Sequence, residues 1–280
     1  MLESSSRDKY IKVGNINTRF WQAGESGSVV VLVHGLGGCI ENWKNNIDVL
    51  AQRHRVYALD LLGFGRTDKL PLVKDLRILL QFVRDFMDTQ HIDKASLVGS
   101  SLGGELVLQF AIENPQRVEK LVLVNNAGMG RDVSTFLRIC ALPVLGKLLM
   151  RRPSLEGVEK LLKLIIFDPA LFTPEDIKMS YEMSSLLGAS TAFLAVMRAG
   201  FSFWGQRPKY WKPILKALDK IKTPTIIFWG KQDKILPVKH ASIAARIPGS
   251  KLYIYDKCGH AVMLEHPDEF NKIVMDFLAE

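Results

Sequence analysis

Gly99-Ser100-Ser101-Leu102-Gly103 ends the apolar run Ala95-Ser96-Leu97-Val98 and opens the helical pattern Glu105-Leu106-Val107-Leu108-Gln109-Phe110-Ala111. A strand that turns sharply into a helix at Gly-x-Ser-x-Gly holds the serine exposed on a tight turn, and the two glycines let strand and helix pass closely. The register puts Ser101, not Ser100, between the glycines, so Ser100 reads as a strand-end residue. The backbone N–H of Leu102 is then the candidate donor to an oxyanion forming beside the serine.

A serine nucleophile needs a base, and the base needs an orienting acid. His260, in Cys258-Gly259-His260, follows the strand-like run Lys251-Leu252-Tyr253-Ile254-Tyr255. Asp233, in Gly230-Lys231-Gln232-Asp233, follows another, Thr225-Ile226-Ile227-Phe228-Trp229. Each candidate sits in a loop directly after a strand, and in a parallel sheet such loops share one edge, where ligands bind. His54, His91, His240 and His266 fall in helical or loop segments without a nameable partner. Asp60 competes as the acid, but it precedes the serine along the chain. Asn125 and Asn126 follow the strand Leu121–Val124 and carry no charge, which adds weight to Asp233. The unbroken run Val29–Val33 reads as a buried strand leading into His34-Gly35-Leu36-Gly37-Gly38, and the Leu36 N–H is the second oxyanion candidate.

Strand runs alternate with helical segments near Trp43–Gln52, Lys74–Gln90 and Ser101–Glu113, which implies an α/β fold with a mostly parallel sheet covered on both faces. Tyr10–Val13 and Thr18–Trp21 read as its antiparallel edge. From Gly128 to Trp211 no β-branched run appears, helical spacing dominates, and Pro143, Pro153, Pro169, Pro174 and Pro208 punctuate it. The expectation is a core of residues 1–128 and 212–280 with a helical cap, 129–211, inserted after the sixth sheet strand.

In order, these motifs resemble the α/β-hydrolase superfamily, in its cap-bearing esterase, lipase and C–C hydrolase neighbourhood. The matching residues are His34 to Gly38 with Trp43, Leu59 to Thr67, the turn Gly99 to Gly104, Gly230 to Asp233, and Gly259-His260 with Glu265-His266-Pro267. The resemblance implies an eight-stranded, mostly parallel α/β-hydrolase sheet. It also implies Ser101, His260 and Asp233 as a triad, with Leu36 and Leu102 as the oxyanion hole. Relatives that dehalogenate or open epoxides by covalent attack use an aspartate at the turn, so Ser101 argues against both chemistries. Meta-cleavage-product hydrolases, which break C–C bonds, resemble the final stretch and the cap, where Arg198 would match their arginine. They usually carry a proline in the oxyanion loop and a tryptophan after the histidine. Here the loop reads Leu36-Gly37-Gly38-Cys39 and Ala261 follows His260.

The main expectation is therefore a carboxylesterase working through an acyl-enzyme on short to medium, fairly apolar acyl esters. C–C hydrolysis, or slow-turnover ligand binding of a receptor kind, is the alternative. Phe193, Met197 and Trp204 of the cap, with Trp43, Ile235 and Val262 beside the core loops, are the expected substrate contacts. No cofactor and no metal is called for. The balance is basic, with a formal net charge of +8 and a pI near 9.3, yet acids are interleaved throughout and no nucleic-acid motif appears. The expected partner is a small-molecule ester, with a homodimer left open. Lys147, Arg151 and Arg152 beside Leu148-Leu149-Met150 outline a weak docking face for an acidic acyl carrier or an anionic lipid surface. Three scattered cysteines, Cys39, Cys140 and Cys258, point to free thiols. A polar start, Met1–Lys12, and the broken apolar stretch Phe136–Met150 offer no targeting or membrane-spanning segment, so a cytoplasmic location is expected.

Overall fold

β-branched runs with no polar alternation can be buried on both faces only where helices cover both sides of a parallel sheet. The computed structural model, which describes residues 7–70 and 72–280, has this arrangement; Met1 to Ser6 of the polar start lie outside the described residues. The strands are β1 (Lys9–Val13), β2 (Ile16–Ala23), β3 (Val29–Val33), β4 (Arg55–Leu59), β5 (Ala95–Ser100), β6 (Val118–Val124), the short pair β7 (Phe201–Ser202) and β8 (Gly205–Gln206), then β9 (Thr225–Gly230) and β10 (Lys251–Tyr255). Eight of them form one sheet in the order β1-β2-β4-β3-β5-β6-β9-β10. The β1–β2 hairpin is antiparallel and joins β4 antiparallel, while every pair from β4 to β10 is parallel.

The helices are α1 (Ile47–Leu50), α2 (Arg77–Thr89), α3 (Leu102–Glu113), α4 (Thr135–Cys140), α5 (Pro143–Leu149), α6 (Leu155–Ile165), α7 (Pro174–Ser185), α8 (Ala189–Gly200), α9 (Pro208–Ala217), α10 (Lys239–Ala244), α11 (Val262–Glu265) and α12 (Pro267–Ala279). Strand side chains alternate between two cores. Val31 and Val33 face Phe86 of α2 and Val107 of α3, whereas Val30 and Leu32 face Ile47 of α1 and Phe270 and Val274 of α12. The chain leaves the sheet after β6 and returns at β9. Helices α4 to α8 form that insertion, the segment expected as a cap, and α9 leads back to β9.

Two local differences from the sequence reading have plain causes. The helix expected over Trp43–Gln52 is a 3-10 turn, Ile40–Trp43, followed by the single turn α1. Asn46, between them, sends its side-chain amide to Met263 O (3.1 Å) and Asn271 Oδ1 (2.9 Å) instead of continuing a helix. The β7–β8 hairpin interrupts the helical pattern of the cap. It reverses at Gly205, whose φ of +104° suits only glycine. Among the described residues no helix is long and apolar enough to cross a membrane.

Candidate active site

β5 lies in the middle of the sheet, and α3 begins at the residue after Ser101. Ser101 adopts φ 54° and ψ −119°, a conformation non-glycine residues rarely hold. Backbone bonds fix it there: its N–H donates to Val124 O (2.9 Å), and its carbonyl accepts from Ala127 N–H (2.9 Å) and Glu105 N–H (3.1 Å). The next residues must pass under β3, and a Cβ on Gly103 would fall 2.2 Å from Val33 O. This close crossing is what the second glycine of the motif permits.

The loops after β9 and β10 bring Asp233 and His260 together. His260 Nδ1 lies 2.7 Å from Asp233 Oδ2, so Nδ1–H donates to the carboxylate and Nε2 is left for the cavity. The other oxygen, Oδ1, accepts from the N–H groups of Ile235 (2.7 Å) and Leu236 (2.9 Å). Asn125, at the end of β6 with φ 44°, donates through Nδ2 to the same Oδ2 at 2.7 Å. The buried carboxylate thus has its lone pairs occupied and its rotamer set from three loops. Glu265, on α11, accepts from Gly259 N–H at 2.9 and 3.0 Å and from Phe167 N–H at 2.7 Å. His260 N–H itself donates to Ile165 O, the last residue of α6, at 2.7 Å.

The loop after β3 closes the other side. A Cβ on Gly35 would fall 2.8 Å from Ser101 Cβ, so this loop passes directly over the serine. Leu36 follows, in the wall of the cavity that Ser101 and His260 also line. Leu102 is the first residue of α3, where the helix leaves its own N–H groups unused. His34 braces the loop. Burial pushes its pKa down to about 4, so it is neutral; Nδ1–H donates to Gly35 O (2.7 Å) and Nε2 accepts Leu61 N–H (2.9 Å). Asp60 lies beneath, accepting from Ile40 N–H (2.8 Å), Arg66 N–H (2.7 Å) and Arg19 Nη1 (3.3 Å). It is a strut of the loop, not a partner of His260.

A cavity of about 220 Å³ lies between these loops and the cap. Leu161, Met179, Met183 and Phe193 of α6, α7 and α8 form its apolar roof. Lys69 is in its wall, with Nζ donating to Gly65 O (2.6 Å), Thr67 O (2.6 Å) and Phe64 O (3.3 Å). Burial pulls its pKa down to about 8.

Of the six expected substrate contacts, Phe193 is in the cavity wall and the other five are placed elsewhere. Trp43 and Val262 are buried in the core on the α12 side, and Met197 is buried on the core side of α8. Ile235 is buried and lends its N–H to Asp233. Trp204 is 66% exposed on the β7–β8 turn. Arg198 points away from the cavity, donating through Nη2 to Pro143 O at 2.8 Å. Apolar residues of a cap helix look alike in sequence whether they face the core or the cavity; Phe193 and Met197 share one face of α8, four residues apart, and only their position along the helix separates them. Lys69, Asn125 and Glu265 were missed. Val158, Leu161, Leu162 and Ile165, at helical spacing on α6, were the readable signal for the roof. Cys39 and Cys258 are buried, and burial pushes both thiols above their ordinary range, which removes them as nucleophiles.

The family model described as "Alpha/beta hydrolase family" matches residues 30–273. The 2-hydroxy-6-oxo-6-(2'-aminophenyl)hexa-2,4-dienoic acid hydrolase of Metapseudomonas resinovorans is 32% identical, over 99% of this chain and 92% of its own. The 2-hydroxy-6-oxo-6-phenylhexa-2,4-dienoate hydrolase of Burkholderia cepacia is 30% identical, over 99% and 98%. A solved meta-cleavage product hydrolase from Pseudomonas fluorescens IP01 superposes with a TM-score of 0.81 at 26% identity, covering 97% of each chain. These full-length relatives overturn the carboxylesterase expectation. That expectation gave too much weight to two loop residues and to the apolar cap, and it lacked the ammonium of Lys69 in the cavity wall. With the sheet order, the strained serine turn and the family match in agreement, this hydrolase belongs to the alpha/beta hydrolase family.

Proposed function

We propose that the chain hydrolyses a carbon–carbon bond in a vinylogous diketone acid of the 2-hydroxy-6-oxo-dienoate type. The observation that carries this reading is full-length similarity to hydrolases named for such acids. The cavity agrees, since it joins an apolar roof to a half-buried cation and a serine–histidine pair. Ser101 is the nucleophile, His260 the base and Asp233 the group that orients the imidazole. The N–H groups of Leu36 and Leu102 stabilise the oxyanion, each worth about 3 kcal/mol. Residues 129–211 act as the cap on a core of 1–128 and 212–280, with α9 bridging the two.

The chemistry sets the order of events. Expelling carbon requires a stabilised carbanion. The dienol therefore first moves its hydroxyl proton to C5, giving a 2,6-dioxo acid. Ser101 adds to the C6 ketone as His260 takes its proton. Collapse of the adduct breaks C5–C6, and the electron pair is delocalised onto the 2-oxo oxygen, which His260 reprotonates. Water, activated by His260, then frees the second carboxylic acid from Ser101. Lys69 is the cation that offsets the substrate carboxylate.

The test follows loss of the visible absorbance of 2-hydroxy-6-oxo-6-phenylhexa-2,4-dienoate with wild type and Ser101→Ala. Many turnovers are expected from the wild type, with a loss of at least about 10³-fold in the variant. Turnover of simple esters with none of the dienoate would overturn the reading.

A further inference from the structure

The far end of α8 and the β7–β8 hairpin border an open groove separate from the cavity. Six cations line it: Lys74, Arg131, Arg198, Arg207, Lys209 and Lys212. Lys209 pairs with Asp75 at 2.8 Å, and the other five have no carboxylate partner among the described residues. Two of the guanidinium groups are anchored by their inner nitrogen. Arg131 Nε donates to Trp204 O at 2.5 Å, and Arg207 Nε to Arg198 O at 3.2 Å. An arginine held this way keeps its outer N–H edge for a ligand, in the fork that suits phosphate. Helix α9 also begins here, with Arg207 at its N-cap; Pro208 carries no N–H and the Tyr210 N–H donates to Arg207 O at 3.1 Å, so the side-chain cations and not the helix end set the positive potential. Asp75 offsets Lys209 alone, and an anion relieves the repulsion among the remaining cations.

Trp204 and Trp211 line the same groove, and the Arg131 guanidinium lies 5.7 Å from the Trp204 ring centroid. An inorganic phosphate would use the cations and leave both indoles bare. We propose that the groove binds an organic polyphosphate carrying an aromatic ring, of the nucleoside diphosphate class. The phosphates lie among Arg131, Arg207 and Lys212, and the ring rests on Trp204. The groove is not isolated from the chemistry: α8 carries Phe193 into the active-site cavity at one end and Arg198 into this groove at the other.

Calorimetric titration of the full chain with ADP at low ionic strength tests the proposal. Pyrophosphate, adenosine and phosphatidylglycerol vesicles serve as separate arms. One ADP should bind per chain, more tightly than pyrophosphate, with adenosine giving no measurable heat. Arg207→Gln, Lys212→Gln and Trp204→Ala should each weaken ADP binding about tenfold. Lys212 is exposed, with Nζ 5.7 Å from the Trp211 ring centroid, so that variant keeps the test valid if the others misfold. Unchanged dienoate turnover reports that each variant is folded. Absence of saturable ADP binding would overturn the proposal. So would pyrophosphate binding as tightly as ADP, or vesicles binding without competition from ADP.

Discussion

Lys69 gives a largely apolar cavity a side chain that can discriminate acids from neutral molecules. Its ammonium is half-buried against three carbonyl oxygens, which hold it in place without neutralising it. Replacing it with methionine should raise KM for the dienoate acid about 10- to 100-fold, the loss of one charge-assisted contact, and leave the methyl ester of the same substrate unaffected. The pH dependence has a definite sign. A lysine pulled down to about 8 is charged below that pH and loses its charge above it. KM for the acid should therefore climb as pH rises through about 8 in the wild type, and Lys69→Met should flatten that limb. Lys69 was not legible in the sequence because nothing in Thr67-Asp68-Lys69 distinguishes a half-buried lysine from a solvated one. Ser101, Asp233 and His260 were legible because each follows a strand, and strand ends in a parallel sheet converge. Asn125 was visible as an uncharged residue at a strand end. That it would donate to the acid depended on a left-handed backbone that no local pattern announces.

At the scale of elements, the helix that follows Ser101 is tied to the β7–β8 hairpin by a buried polar contact. Glu105 of α3 accepts from Gln206 Nε2 of β8 at 2.6 Å, and Gln206 Oε1 accepts Gly128 N–H at 3.1 Å. Burial pushes the Glu105 carboxyl up to about 7. The folded protein thus holds a proton that the unfolded chain releases at ordinary carboxyl pH. Stability from this group is complete at low pH and is lost as pH rises through about 7. Glu105→Gln keeps the bond and removes the titration. Its Tm should match the wild type near pH 4, exceed it increasingly from about pH 4.5 to about pH 7 and keep a constant margin above that, read by thermal denaturation from pH 4 to 8. A second tie, Glu265, fastens the loop of His260. Glu265→Ala should lower kcat about tenfold with little change in KM, since it frees three N–H groups, those of Gly259 and Ala261 on either side of His260 and that of Phe167, without touching the cavity. Both ties were hidden from sequence reasoning for the same reason. Each joins residues far apart along the chain, through side chains that also serve ordinary surfaces.

Across the whole molecule, the edge hairpin is joined to the sheet centre by a buried ionic cluster. Arg19 of β2 is 1% exposed and meets Asp8 (2.7 Å), Glu41 (2.5 Å) and Asp60 (3.3 Å). Breaking such a cluster from the cationic side leaves carboxylates buried together, at a cost of about 3–5 kcal/mol. Arg19→Met should lower Tm by roughly 10 °C in calorimetry, for a chain of this length. The architecture itself was readable: the strand runs and their alternation with helices predicted the sheet, and the proline-punctuated stretch predicted helices between β6 and β9. What the sequence left open was the inner face of those helices, because the roof is set by how α6, α7 and α8 are rotated over the core.

The bond from His260 N–H to Ile165 O, with Glu265 holding both Gly259 and Phe167, makes the end of α6 and the proton acceptor a single mechanical part. Lifting that end of the roof to admit substrate would pull the imidazole's own backbone support away. Such an opened molecule would be disarmed, able to take in or release molecules but not to attack them. Among the described residues α7 and α8 carry no bond to the His260 loop, although Lys44 pairs with Asp176 of α7, so a roof that parted from the core along α8 would leave the imidazole's support in place.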